Sequence, residues 1–583
     1  MAGTKRKNNK RKPEKSRKKS GMGSITILLV ILVVLMVAAV FISKRYAPSK
    51  VQTDLREYYN LTADEDENRL EAEDGELAIV LEDEVLSVRA FRLEEEIFVP
   101  FTLVKNNIDD RFYYDSNEDL IIVTTANDII KNRVSESILT VNGSDRDAGY
   151  TVSRELDGKI YLNIRFVDEF SAAQYSVHED PDRVYITYLE GNYEYGTALM
   201  HTYIRTMAKT KADYIQTVEK GDKLKILDDL GDWLEIIDES GCRGYIQAKA
   251  VTDIASEQVV SDYQEAEYTH IDAGDDINMV WDAIYYYDSN YEIYNRAAEM
   301  TGVDVLCPTW FTLADDQGNL NSYVCSEYIT FARENGMQVW TTIEDIDGES
   351  CAGVIDYTSK RETLIANLIE QCLEAGIDGI NVDFENISTD MGNDYIQFMR
   401  ELSVACRDKG LILSVDTYAP YAYNSHFHFD ELSKICDYVV VMAYDDYLGG
   451  DEAGPCAGLP FVQDVIETCA EQADLDRLIV GIPFYTRAWY EYSDGSLGRD
   501  VYNMYDLENI EWNYGLTPEW LEDVGYDFSS YESGGATVKI WMENYNSINA
   551  KLELIKSYDV AGIASWRLGQ ETSDIWALLE SYY

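Results

Sequence analysis

The C-terminal half of the chain alternates short apolar runs with helical periods, and this rhythm restricts the fold more than any other feature. Strand-length runs fall at 277–283, 303–310, 337–343, 378–384, 411–416, 437–443, 478–483 and 561–566. Amphipathic segments lie between them. In RETLIANLIEQCLEAG (361–376), Leu364, Ile365, Leu368, Ile369 and Cys372 share one stripe, as a helix requires. DYIQFMRELSVACRDKG (394–410) and NAKLELIKSYD (549–559) behave alike. Parallel strands need crossover segments, usually helices. Eight such units in about 300 residues predict an α/β fold, a closed (β/α)8 TIM barrel. Doubly wound sheets usually have fewer strands and an early Gly-rich phosphate loop, which this sequence lacks.

In such a barrel, reactive groups sit at the C-terminal ends of the strands. The fourth run, in GIDGINVDFEN (376–386), sets Asn381, Asp383 and Glu385 two apart. Side chains at that spacing share a face, roughly 6.6 Å apart along the strand. Carboxylates in a barrel interior are costly unless hydrogen-bonded or protonated. Repulsion between the two should raise the pKa of one, and a carboxyl protonated near neutral pH suits a leaving-group oxygen. Glu385, nearest the mouth, is the candidate acid. Asp383 lies one layer deeper, where it can hold and orient. Asn381, lowest of the three, is expected to hydrogen-bond Asp383 without sharing a proton. The competing reading of this row is a structural hydrogen-bond network.

The surroundings favour chemistry. DGINVDFE has the form of the DGxDxDxE signature of glycoside hydrolase family 18, with Asn at its first core Asp. DYVVVMAYDD (437–446) resembles that family's Met-x-Tyr-Asp at Met442, Tyr444 and Asp445. VGIPFYTRAW (480–489) resembles its Gly-x-Pro-x-Tyr-Gly-Arg, with Thr486 for Gly, and GIASWRLG (562–569) places Trp566 where the family has a floor Trp. The resemblance covers 276–583 and is nearest the peptidoglycan-active and spore-associated bacterial branch. It implies a substrate-assisted retaining reaction, in which the 2-acetamido oxygen of the sugar is the nucleophile. Glu385 would protonate the departing oxygen and then deprotonate water. Asp383 would hold the acetamido N–H, Tyr444 would donate to the acetamido oxygen, and Trp566 would lie under the sugar. Met442 and Asp445 would shape the pocket. The implied substrates are GlcNAc-containing glycans, with peptidoglycan ahead of chitin or N-glycan. Trp310, Tyr485 and Arg487, with Asp416 and Tyr418, are expected to line the cleft. His426 and His428 lie in one loop without further ligands, so no metal is expected, and no organic cofactor.

The N-terminal half reads as accessory. Residues 1–20 carry ten Lys/Arg and one Glu. Residues 21–43 are uncharged and apolar, long enough for a bilayer-spanning helix. Basic residues ahead of it place the tail in the cytoplasm and the remainder outside. No small-x-small cleavage site precedes Lys44, so an uncleaved single-pass anchor is expected rather than a signal peptide. A polar stalk follows at 44–75. Within 76–195, IFVPFTLVKNNIDDRFYYDSNEDLIIV (97–123) aligns on IYLNIRFVDEFSAAQYSVHEDPDRVYI (160–186) at an offset of 63. Ile97 matches Ile160, Val104 matches Val167, Phe112 matches Tyr175, Asp119 matches Asp182 and Ile121 matches Val184. The pair resembles copper amine oxidase N-terminal-like repeats, without a His cluster for copper. Residues 200–254 resemble a bacterial Src-homology-3-like domain at Gly221-Asp222, Leu227, Gly231-Asp232-Trp233 and Gly244-Tyr245-Ile246. Such domains often contact cell wall, and a bare spacer role is the alternative. Residues 255–275 are an acidic linker. After residue 50 there are 36 Lys/Arg against 105 Asp/Glu, a surface that repels nucleic acid and anionic lipid. The nine Cys form no CxxC or Cys/His spacing and read as small buried hydrophobes. A glycan-binding or envelope-scaffold protein without turnover is the rival function.

Overall fold

The computed structural model describes residues 22–62, 72–345, 348–450 and 452–583. The expected basic tail and part of the stalk lie outside the described residues. The chain divides into two units, Met1–Phe91 with Ala173–Ser261 and Arg92–Ala172 with Asp262–Tyr583.

The first unit begins with the helix Met22–Tyr46. Its stretch Thr26–Arg45 is long and apolar enough to cross a bilayer. Strand Glu76–Leu81 pairs in parallel with Arg183–Thr187 and antiparallel with Glu84–Leu93. Seven further strands between Gly191 and Val259 form an antiparallel sheet over Ile204, Ile215, Leu224, Leu234, Ile236 and Ile246.

The second unit contains the barrel. Its eight strands are Ile277–Asp282, Val305–Pro308, Gln338–Glu344, Gly379–Asp383, Ile412–Thr417, Tyr438–Met442, Leu478–Pro483 and Gly562–Trp566. Neighbours pair in parallel in that order, and the eighth closes on the first with Met279 opposite Ala564. Each expected strand is present. Alternation splits the apolar residues into two layers. Met279, Trp281, Cys307, Trp340, Val440 and Ile479 pack together in one. Val280, Leu306, Val339, Val382, Val415 and Val441 pack in the other with the helices, for example Leu364, Leu368 and Leu402. Each such buried side chain contributes about 1.5–3 kcal/mol. The helix Thr358–Ala375 ends on Gly376 at φ 75°, a left-handed cap that favours glycine. All nine cysteines are buried.

Two features of this unit were not anticipated. Between the seventh and eighth barrel strands lies a five-stranded antiparallel sheet built from Tyr485–Tyr492, Leu497–Asn503, Glu519–Leu521, Tyr526–Ser533 and Ala536–Met542. It is followed by a fully buried ion pair, Lys551 Nζ to Glu543 Oε1 at 2.8 Å. A five-stranded meander from Phe112 to Asp147 also packs on the barrel helices. Asp115 Oδ2 accepts at 2.7 Å from the Thr358 backbone N–H, the first of the helix Thr358–Ala375. Tyr113 donates to Asp394 at 2.6 Å and Gln397 to Thr124 at 3.0 Å. Beneath them the buried Arg361 forks onto Glu401. The 63-residue repeat is present in the elements: Glu96–Pro100 recurs as Lys159–Asn163, and Leu120–Thr124 as Arg183–Thr187.

Candidate active site

Strand four stops at Asp383, so Glu385 stands two residues beyond it, exposed at the barrel mouth. Its loop is held from below. Asp345, just past strand three, accepts from the Glu385 N–H at 3.0 Å and the Asn386 N–H at 2.9 Å. The Tyr418 hydroxyl donates to Glu385 Oε2. A cleft of 610 Å³ opens here, with Asp383, Glu385, Asp416, Tyr444 and Trp566 in its wall beside Met442, Asp445 and Tyr485. A second cavity of 470 Å³ shares Asp383, Glu385 and Trp566 and runs along Tyr285, Thr312, Asn321 and Glu344. Trp566 meets Trp281 edge to face, with centroids 5.9 Å apart. Strand seven makes room for the site at Gly481, where an added Cβ would lie 3.2 Å from the Tyr444 ring.

The carboxyls are not arranged as the sequence suggested. Asn381 is fully buried, and its amide donates to Asp416 Oδ1 at 2.8 Å and Ser414 Oγ at 3.0 Å, while Trp281 Nε1 donates to its oxygen. Its partner is therefore Asp416 of strand five rather than Asp383. One Oδ of Asp383 is buried and lacks a hydrogen-bond partner among the described residues. Burial first, then the charge of Asp416 and next that of Glu385, pushes Asp383 well above the usual carboxylate range. Burial likewise pushes Asp416 up to about 8, opposed by its hydrogen bond from Asn381. The two thus retain a proton at neutral pH. Burial and the nearby carboxylates hold the Tyr444 phenol protonated, leaving it a donor.

Other expected residues sort differently. Asp445 adopts φ 65°, a conformation Asp tolerates, and accepts from Tyr485 Oη at 2.5 Å and from Arg487. Tyr485 reaches the cleft wall; Arg487 does not line it and acts on Asp445 instead. Trp310 is a correction. It is 0% exposed, packs in the layer between strands and helices, and donates to Asn290 at 2.7 Å. It lies two residues past the second strand and turns outward. His426 contacts the Ile387 carbonyl, and His428 sits at φ 53° before the helix Phe429–Ile435. Sequence reasoning missed Glu344 and Asp345. An acidic pair closing an apolar strand was the available signal.

Known proteins resemble this chain in sequence over the barrel and over the repeat region. Residues 284–571 match the model of glycosyl hydrolases family 18, and residues 80–186 match the copper amine oxidase N-terminal domain. The cortical fragment-lytic enzyme of Bacillus subtilis is 26% identical over 245 residues, 39% of this chain and 54% of that one. The Bacillus anthracis enzyme of the same name is 22% identical over 261 residues, 42% of this chain and 59% of that one. The spore cortex-lytic enzyme SleL of Bacillus megaterium aligns at TM-score 0.48 and 19% identity, covering 56% of this chain and 77% of that one. The chain spans about half the length of the curated relatives it matches. With the signature on strand four, its partners on strands six to eight and the closed barrel, residues 284–571 form a domain that matches glycosyl hydrolases family 18.

Proposed function

We propose that this protein is an extracytoplasmic, membrane-anchored glycosidase that hydrolyses β-linked N-acetylglucosamine-containing glycans, peptidoglycan first among them, by substrate-assisted retention. The unpartnered Asp383 oxygen beside Glu385 carries this reading. A buried acceptor without a donor is costly, and an acetamido N–H at that point satisfies it. Tyr444 then donates to the acetamido oxygen, aiming it at the anomeric carbon. As that oxygen bonds to the carbon, the glycosidic bond breaks and Glu385 gives its proton to the leaving oxygen. Glu385 next takes a proton from water, which opens the oxazolinium and restores the sugar. Asp383 faces the positive intermediate. The Bacillus relatives named for cortical fragment lysis support peptidoglycan over chitin. The apolar helix Met22–Tyr46 supports the anchor, and the two modules after it support contact with the wall.

The test is turnover of matched glycans, N-acetylated and de-N-acetylated, followed by reducing-end release. The N-acetylated form is cleaved and the other is inert, because its nucleophile is missing. Equal turnover of both would rule out substrate assistance.

A pH prediction follows from the Asp383–Asp416 pair. On a neutral substrate, kcat/KM declines on the alkaline side as the pair loses its last proton. Asn381→Asp adds a third carboxyl and moves that limb to higher pH. Asp416→Asn removes the charge that raises Asp383 and moves it lower. A pH–rate profile unmoved by both changes means the pair is uncoupled from catalysis.

A further inference from the structure

The two cavities meeting at Glu385 are lined by seven carboxyl groups, and no Lys, Arg or His lines them among the described residues. Several of these groups are occupied. Asp445 faces Arg487, and Asp345 is taken up by the backbone N–H groups of residues 385 and 386. Glu344 is different. It closes strand three in the wall of the second cavity, and no ion pair reaches it among the described residues. Burial first, then the charges of its neighbours Glu385 and Asp345, raises it to about 7. The same cavity is walled by Asp383, whose buried oxygen lacks a partner among the described residues and calls for a donor.

We propose that Glu344 determines substrate charge, disfavouring a free carboxylate on the sugars adjoining the cleaved N-acetylglucosamine and accepting neutral or amine-bearing ones. This rests on the glycosidase reading above. In a glycan alternating N-acetylglucosamine with a lactyl-bearing sugar, both neighbours of the cleaved residue carry a lactyl group. A lactyl carboxylate brought into this cleft meets like charge in the lining, while Arg487 is engaged by Asp445 and Arg567 lies against the Tyr285 ring. A lactyl group converted to an amide, whether by a peptide or by ammonia, meets hydrogen-bond partners instead. The preferred polymer therefore has its lactyl carboxyls substituted, or lacks lactyl groups.

Two tetrasaccharides that differ only in charge test this: the alternating lactyl form with free carboxylates, and the same compound with those carboxyls as primary amides. At pH 8 the wild-type kcat/KM for the amide form is expected to exceed that for the carboxylate form about tenfold, from Coulomb repulsion across a few ångströms of partly wet cleft. Glu344→Gln narrows the ratio to about threefold, and Glu344→Asp, which keeps the charge, keeps it near tenfold. Affinities for both compounds are measured in parallel on the Glu385→Gln protein, alone and combined with Glu344→Gln. Those affinities read the charge preference even if no glycan is cleaved, so failure of the glycosidase reading stays distinguishable. Equal values for the two compounds, or a ratio that Glu344→Gln leaves unchanged in both turnover and affinity, would overturn the proposal.

Discussion

Replacing Glu385 with Gln should lower kcat/KM on an N-acetylglucosamine polymer by about 10³-fold or more, while glycan affinity changes only a few-fold. The exchange is isosteric. The amide oxygen still accepts from Tyr418, and the backbone N–H groups of residues 385 and 386 stay on Asp345. What disappears is a proton that can be given to the leaving oxygen and recovered from water. Reducing-end release from purified peptidoglycan and chitooligosaccharides, with binding measured on the same samples, separates the two effects. If wild type and variant release equally little while both bind, the barrel is a glycan-binding module and the hydrolytic reading is lost.

The second large effect is on stability. Lys551 and Glu543 are both 0% exposed, and Lys551 also lies 4.0 Å from the centroid of the Tyr526 ring. Glu543 accepts as well from Tyr526 at 2.5 Å and Ser547 at 2.6 Å. Changing Lys551 to Met leaves a buried carboxylate without its cation and should destabilise the second unit by about 3–5 kcal/mol. Changing Glu543 to Leu in the same chain removes the stranded charge and should recover much of that loss. Urea unfolding followed by tryptophan fluorescence reads both. A single variant that loses less than about 1 kcal/mol would show that water or rearrangement reaches the charge, and that the network is not closed.

The eight barrel strands were legible because each is a short apolar run between helical periods, and the resulting topology has few alternatives. The inserted sheet was not. Its first strand follows the seventh barrel strand after a single residue, Phe484, so YTRAW read as the tail of that strand. The turn signals Asp494-Gly495-Ser496 and Gly534-Gly535 were present but stood outside any expected hairpin. At the site, Asp383 and Glu385 do share a cleft, but Glu385 stands past the end of its strand and its loop is held by Asp345 rather than by strand alternation. The register between strands four and five was beyond spacing. Asn381 lies opposite Ser414, and only that alignment brings its amide to Asp416. Trp310 went astray for a related reason. Alternation holds within a strand, and the strand had already ended at Pro308.

The meander from Phe112 to Asp147 grips the two helices that flank strand four, Thr358–Ala375 and Gly392–Lys409, and its Asp115 accepts from the first backbone N–H of the former. Those helices connect the strands that deliver Asp345, Asp383 and Glu385. A barrel liberated by proteolysis near residue 276 would therefore lose its clasp on the wall that bears the acid, with Thr358 deprived of Asp115 and Gln397 of Thr124. The smallest autonomous form of the barrel is expected to include residues 92–172, and inheritance of the barrel alone would carry a loosened fourth strand.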